Sequence, residues 1–125
     1  MTQPQIEKID VHNNGDRSGK SELFWAFSVN GDKFIEKTRA NPQKAEDGET
    51  ILLGESRIVN DLDGIDTLTV SGSVSEKDGI LAGKNETASF NRIYSSANNW
   101  GLGSYQARLQ DHPLDVTVHY RIENA

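Results

Sequence analysis

The stretch Leu23-Phe24-Trp25-Ala26-Phe27-Ser28-Val29-Asn30-Gly31 decides the fold class of this chain. Its odd-numbered positions up to 29 are bulky and apolar, whereas the even-numbered ones include Ala26, Ser28 and Asn30. This two-residue period is that of a β-strand whose bulky face lies in a core. Asn30-Gly31 then indicates a hairpin, because a type I′ turn needs positive φ angles that Asn and Gly tolerate.

The same alternation recurs further along the chain. Near the carboxyl end, apolar residues occupy positions 116, 118, 120 and 122. Another strand is predicted around Leu68, Val70 and Val74, where Gly72 takes an inward position and indicates a bulge or a close backbone approach. We expect Trp25, Phe27, Val118 and Tyr120 to be buried.

Weaker strand candidates lie at Gln5–His12, Lys33–Thr38, Thr50–Val59, Thr87–Tyr94 and Tyr105–Gln110. Asp111-His112-Pro113 is expected to form the turn between the last two strands. Arg39–Glu49 is interpreted as a polar loop and Ala45–Glu49 within it as solvated. No long segment has helical periodicity. We therefore predict an all-β fold, an antiparallel β-sandwich of about eight strands in a single domain over residues 1–125.

Composition excludes several classes of function. The net charge is -6, from 19 acidic and 13 basic residues, and no basic run would track phosphates, which argues against nucleic acid. Cysteine is absent, so thiolate metal sites are excluded. The apolar runs are far shorter than the ~20 residues of a membrane span, and the amino terminus lacks the regions of a signal peptide. We therefore expect a cytoplasmic protein or a mature fragment, not a transmembrane one.

An acidic loop precedes the aromatic strand. Asp16-Arg17-Ser18-Gly19-Lys20-Ser21-Glu22, followed by a strand that ends in Val29-Asn30-Gly31, resembles the first calcium loop of synaptotagmin-type C2 domains. These are calcium- and phospholipid-binding β-sandwiches in which an acidic residue opens the loop and a second begins the next strand. The resemblance implies that Asp16 and Glu22 are calcium ligands, although Glu22 stands where the family usually has Asp.

A second acidic loop completes this interpretation. Asp61, Asp63 and Asp66 are similar to the later aspartates of the family, which alternate in one loop and have a further acidic residue downstream. The resemblance implies a Ca²⁺ site formed by both loops at one end of the sandwich. Roughly six to eight oxygen ligands suit Ca²⁺, and carboxylates supply them without Cys or His. The alternative is that these aspartates only form turns.

Another candidate site is the loop that contains Asn98, Asn99 and Trp100. An exposed indole could stack on a sugar or insert at a lipid surface, but it could equally cover the end of the core. The histidines form no triad or zinc pattern. We predict a non-enzymatic binding module for a protein, glycan or lipid surface, with Ca²⁺ as cofactor. The alternative is a metal-independent carbohydrate- or protein-binding module that uses the Trp100 loop or a strand edge.

Overall fold

The computed structural model describes residues 1–15, 21–59, 66–77 and 86–125, and within these ranges the chain forms nine β-strands. In chain order they are β1 (Thr2–Asn13), β2 (Ser21–Val29), β3 (Asp32–Lys37), β4 (Gln43–Ala45), β5 (Thr50–Ser56), β6 (Thr67–Lys77), β7 (Thr87–Ser95), β8 (Gly103–Asp111) and β9 (Leu114–Asn124). A short 3-10 segment, Ser96–Gly101, joins β7 to β8. None of the helical segments in the described ranges is long and apolar enough to cross a bilayer.

The strands form two antiparallel sheets that pack face to face. One sheet has the order β5-β1-β9-β8, and the other has the order β3-β2-β6-β7 with β4 paired to β2. The predicted all-β antiparallel sandwich is therefore confirmed. The interpretation of Arg39–Glu49 as a loop throughout is wrong, because it contains β4. That strand has three residues, of which only Ala45 is buried, so it is too short to produce a visible alternation.

The core lies between the sheets and contains the residues predicted for it. Trp25 is 5% exposed and Tyr120 is 1% exposed, while Phe27 and Val118 are fully buried. Gly72 allows the close approach expected from its inward position, since a Cβ atom there would lie 2.2 Å from Cδ1 of Phe27. The register of β6 with β2 runs through Gly72 without a shift, so the position is a close approach and not a bulge.

Both predicted hairpins are present. Asn30 and Gly31 have φ angles of 50° and 82°, and they connect β2 to β3. The Asp111 to Leu114 turn connects β8 to β9. These short connections fix the pairing of β2 with β3 and of β8 with β9.

The sandwich has two ends that differ in composition. At the end called here the termini end, Thr2 pairs with Asn124, and the N–H of Ala125 donates to the carbonyl of Met1 at 3.0 Å. At the opposite end, called the Glu76 end, β1 and β6 finish and β2 and β9 begin. A Cβ atom at Gly15 would lie 3.2 Å from Cγ of Glu76 and 3.6 Å from Cβ of Leu114, so these strand ends meet.

Candidate functional site

Two of the five predicted calcium ligands lie in the described part of the chain. Asp16, Asp61 and Asp63 lie outside the described residues. Glu22 is half-buried on the outer face of β2, where its carboxylate lies 3.9 Å from the Lys77 ammonium. Asp66 is exposed and directly precedes β6.

The sheet register separates Glu22 from Asp66. Glu22 pairs with Lys77, the last residue of β6, whereas Asp66 comes immediately before the first. A strand of 11 residues spans about 35 Å at roughly 3.3 Å per residue. Glu22 and Asp66 therefore lie at opposite ends of the sandwich.

The described residues that flank the two acidic loops show the same separation. Gly15, the last described residue before the first loop, lies over Glu76. Val59, the last before the second loop, pairs with Thr2 at the termini end. The reason is topological, because β1 and β6 each run the length of the sandwich between its two ends. Sequence spacing alone contained no information on this direction.

The Glu76 end instead brings together two acidic residues that the sequence interpretation missed. Glu76 is 2% exposed and takes the next inward position of β6 after Val74. Its N–H donates to the carbonyl of Glu86 at 2.9 Å. This bond continues the register in which Ser75 faces Thr87, so the two glutamates are directly opposite and their side chains share the inner face. Opposed Cβ atoms in such pairs lie about 5 Å apart.

A serine side chain is also buried at this end. Ser21 is 1% exposed on the inner face of β2, two residues before Leu23, which pairs with Glu76. Neither the Ser21 hydroxyl nor Oε2 of Glu86 has a hydrogen-bond partner within the described residues, although both atoms are buried. Such groups are rare, because a buried polar atom without a partner loses its hydration without compensation.

The chain from Asn14 to Gly15 covers this polar cluster. Asn14 is fully buried, and its side-chain Nδ2 donates to the carbonyl of Ala45 at 2.9 Å. Its backbone N–H donates to Oδ1 of Asp47 at 2.8 Å. The interpretation of Ala45–Glu49 as merely solvated is therefore wrong, because Ala45 is buried and Asp47 holds the entrance of the first acidic loop.

Oxygen atoms alone form this cluster, and that composition suits a hard cation. Carboxylates and hydroxyls are ligands for Ca²⁺ and Mg²⁺, whereas His and Cys would favour softer metals. Within the described ranges, no three His, Cys, Asp or Glu side chains are arranged to hold a metal ion. The described part of the cluster therefore provides two acidic ligands and a hydroxyl, which is fewer than Ca²⁺ requires.

The Trp100 loop lies at the termini end, where β7 finishes opposite the start of β6. Oδ1 of Asn98 accepts the N–H of Ser95 at 2.7 Å, and Trp100 is half-buried against the core. Asn99 and Trp100 have φ angles of 57° and 56°, so the chain turns sharply here. Asn98 thus has a local structural partner, whereas the side chain of Asn99 is exposed.

Comparison with solved structures supports the family resemblance at the level of the fold. A solved structure described as a C2 domain superposes with a TM-score of 0.59, covering 99% of this chain and 100% of that one, at 10% identity. The fold resembles that of a C2 domain. A C2 domain from plant extended synaptotagmin 1 has a TM-score of 0.49 and 14% identity, with 97% of this chain and 90% of that chain covered. No family model and no curated protein matches this C2-like chain.

Proposed function

We propose that this protein is a non-enzymatic binding module that binds Ca²⁺ at the Glu76 end of its C2-like sandwich. Glu76 and Glu86 are the central ligands in this proposal, and the Ser21 hydroxyl is a further oxygen donor. Asp16 follows Gly15 directly in the sequence, and Gly15 lies over Glu76. Asp16 is therefore a fourth ligand in the proposal.

The observation that carries this proposal is the burial of Glu76 opposite Glu86. Two carboxylates on neighbouring strands repel each other, and burial strengthens the repulsion because water no longer screens it. A bound cation relieves it. A divalent ion also supplies a partner for Oε2 of Glu86 and for the Ser21 hydroxyl.

Glu22 has a different role in this proposal. Its side chain lies on the outer face of β2, next to Ser21 on the inner face, so its negative charge attracts the cation without direct coordination. Asp66, at the termini end, is not part of this site. A calcium ion that few protein oxygens coordinate has coordination positions left for oxygens of a partner. The C2 resemblance suggests that an anionic lipid headgroup or a protein carboxylate supplies them.

Thermal melting with and without calcium tests the proposal. The protein is melted in EDTA and then in CaCl₂ up to about 10 mM, which exceeds the 10⁻⁴ to 10⁻³ M affinity typical of such open oxygen sites. At tenfold excess over Kd, the free energy of unfolding rises by roughly 1.4 kcal/mol. MgCl₂ at the same concentration gives a smaller rise, because Mg²⁺ requires a near-octahedral site. An unchanged melting temperature in CaCl₂ would overturn the proposal.

A further inference from the structure

A bulge in β1 places an acid and a base side by side on the outer face of its sheet. The register of β1 shifts between Ile6 and Lys8 against both β5 and β9. Ile6 and Ile9 are both fully buried although three positions apart, so the two residues between them, Glu7 and Lys8, lie together on the outer side. In a regular strand these neighbours would point to opposite faces.

This bulge forms one wall of a cleft of about 270 Å³. The cleft is lined by Glu7, Lys8, Ser104, Tyr105, Gln106 and His119. Lys8 pairs with His119 and His119 pairs with Gln106, so these three side chains form one row across three strands. Drug-sized ligands occupy pockets of roughly 300 to 1,000 Å³, so the cleft suits a smaller molecule.

The central histidine of this row is held in a fixed orientation. Nε2 of His119 lies 2.6 Å from Oδ2 of Asp10. The hydroxyl of Thr50 donates to the other oxygen of that carboxylate at 2.8 Å. Within the described residues Nδ1 of His119 has no hydrogen bond, so it is the ring atom that remains for a ligand.

The acid–base pairs that the structure describes on this face do not include Glu7 or Lys8, so both side chains remain for a ligand. Three other acids of the face have basic partners, in the pairs Asp10–His119, Asp115–Arg108 and Glu123–Arg121. Glu7 and Lys8 form no ion pair within the described ranges. Their formal charges cancel, and Gln106 and Ser104 each supply both a donor and an acceptor.

We propose that this cleft binds a saccharide unit. Vicinal hydroxyl groups both donate and accept, which matches a carboxylate beside an ammonium with an amide and a hydroxyl opposite. The Glu7 carboxylate would repel a bound anion, and the Lys8 ammonium would repel a bound cation. An apolar ligand would remove the hydration of both charges without replacing it. The site lies on the outer face of the four-stranded sheet and is independent of the proposed calcium site.

NMR titration in EDTA tests this proposal separately from calcium binding. A panel of methyl glycosides is added to the ¹⁵N-labelled protein, and we expect saturable shifts at the amides of residues 7, 8, 104, 106 and 119. Lys8→Ala and Glu7→Gln each remove a charge-assisted hydrogen bond and should weaken binding by about tenfold. Gln110→Ala, on the same face of β8 but outside the cleft, should leave the affinity unchanged.

Three results would overturn the proposal. The first is that no glycoside of the panel gives saturable shifts. The second is that Lys8→Ala and Glu7→Gln bind a glycoside as tightly as the wild type, which would place the sugar elsewhere. The third is that glycine or inorganic phosphate shifts these amides and the glycosides do not. In each variant, amide signals outside the cleft that keep their wild-type positions show that the fold is intact.

Discussion

Glu76 and Glu86 face each other across two neighbouring strands, joined by a backbone hydrogen bond of 2.9 Å. This hydrogen bond fixes the register of β6 with β7, so the two side chains start from directly opposite backbone positions. A shift of register cannot separate the two carboxylates. If the proposed calcium site exists, the stability of the Glu76 end depends on the calcium concentration of the solution.

Glu86→Gln should separate the folding role of the pair from its binding role. The new amide donates where a carboxylate only accepts, so it can form a hydrogen bond with Glu76. We expect the free energy of unfolding in EDTA to rise by about 1 kcal/mol, and most of the calcium-dependent gain to disappear. Urea unfolding in EDTA and in CaCl₂ measures both quantities. Asp66→Asn, at the termini end, serves as the control and should retain the full calcium gain.

Gly72 and Phe27 should show strong energetic coupling. A Cβ atom at position 72 would lie 2.2 Å from the Phe27 ring, so Gly72→Ala forces the ring out of its place and should cost about 1 to 3 kcal/mol. Phe27→Ala should cost about 3 to 5 kcal/mol. Because the smaller side chain leaves room for the added methyl group, the double variant should be more stable than the sum predicts. A double-mutant cycle by chemical denaturation measures the difference, and strict additivity would contradict this packing.

Asp47 should stabilise the entrance of the first acidic loop. Asp47→Ala removes the acceptor of the Asn14 N–H, and we expect a loss of about 1 kcal/mol in the free energy of unfolding. Asp47→Asn retains a side-chain oxygen and should lose less. Glu46→Ala, at the exposed neighbouring position, is the matched control. Equal losses for Asp47→Ala and Glu46→Ala would show that the hydrogen bond contributes nothing.

Acid should destabilise the fold through two carboxylates of the outer face. Burial alone would raise the pKa of Asp10, but hydrogen bonds from Thr50 and His119, together with nearby charge including that of Lys8, hold that pKa below its usual value. The hydrogen bond from Arg108 likewise lowers the pKa of Asp115. A carboxyl with a depressed folded-state pKa stabilises the protein above its unfolded pKa of about 3.9, and this contribution is lost as pH falls through the lower folded value.

The corresponding measurement is the free energy of unfolding between roughly pH 5 and pH 2. The wild type should lose stability steadily below about pH 4, and Asp10→Asn should lose less over the same interval because one of the two linked groups is absent. Identical slopes for the two proteins would contradict the contribution of Asp10. The measurement in EDTA keeps the proposed calcium site out of the comparison.

The fold was predictable because its central strands are amphipathic with a period of two. Trp25 and Phe27 identified β2, and Asn30-Gly31 identified the hairpin that follows it, since both signals are local in the sequence. β4 escaped prediction because three residues cannot establish a period. Its identity depends on pairing with β2, which is a tertiary contact.

The candidate site was predictable only in part, because it depends on which loops share an end of the sandwich. The spacing of Asp61 and Asp63 is similar to that of the C2 family, but spacing does not show in which direction the strand between two loops runs. The sequence does contain a signal for Glu76, because this residue takes the inward position that follows Val74. Acidic residues rarely occupy core positions without a role. Glu86 could be assigned only once the β6–β7 register was known.

The hydrogen bond between Ala125 and Met1 has a practical consequence for how the molecule can be attached to something else. Both chain ends emerge side by side, a full strand length away from Glu76. A surface, a tag or a neighbouring domain joined through either end would therefore lie at the end of the sandwich opposite Glu76 and Glu86. Immobilised copies would share one orientation, with the Glu76 end directed away from the point of attachment.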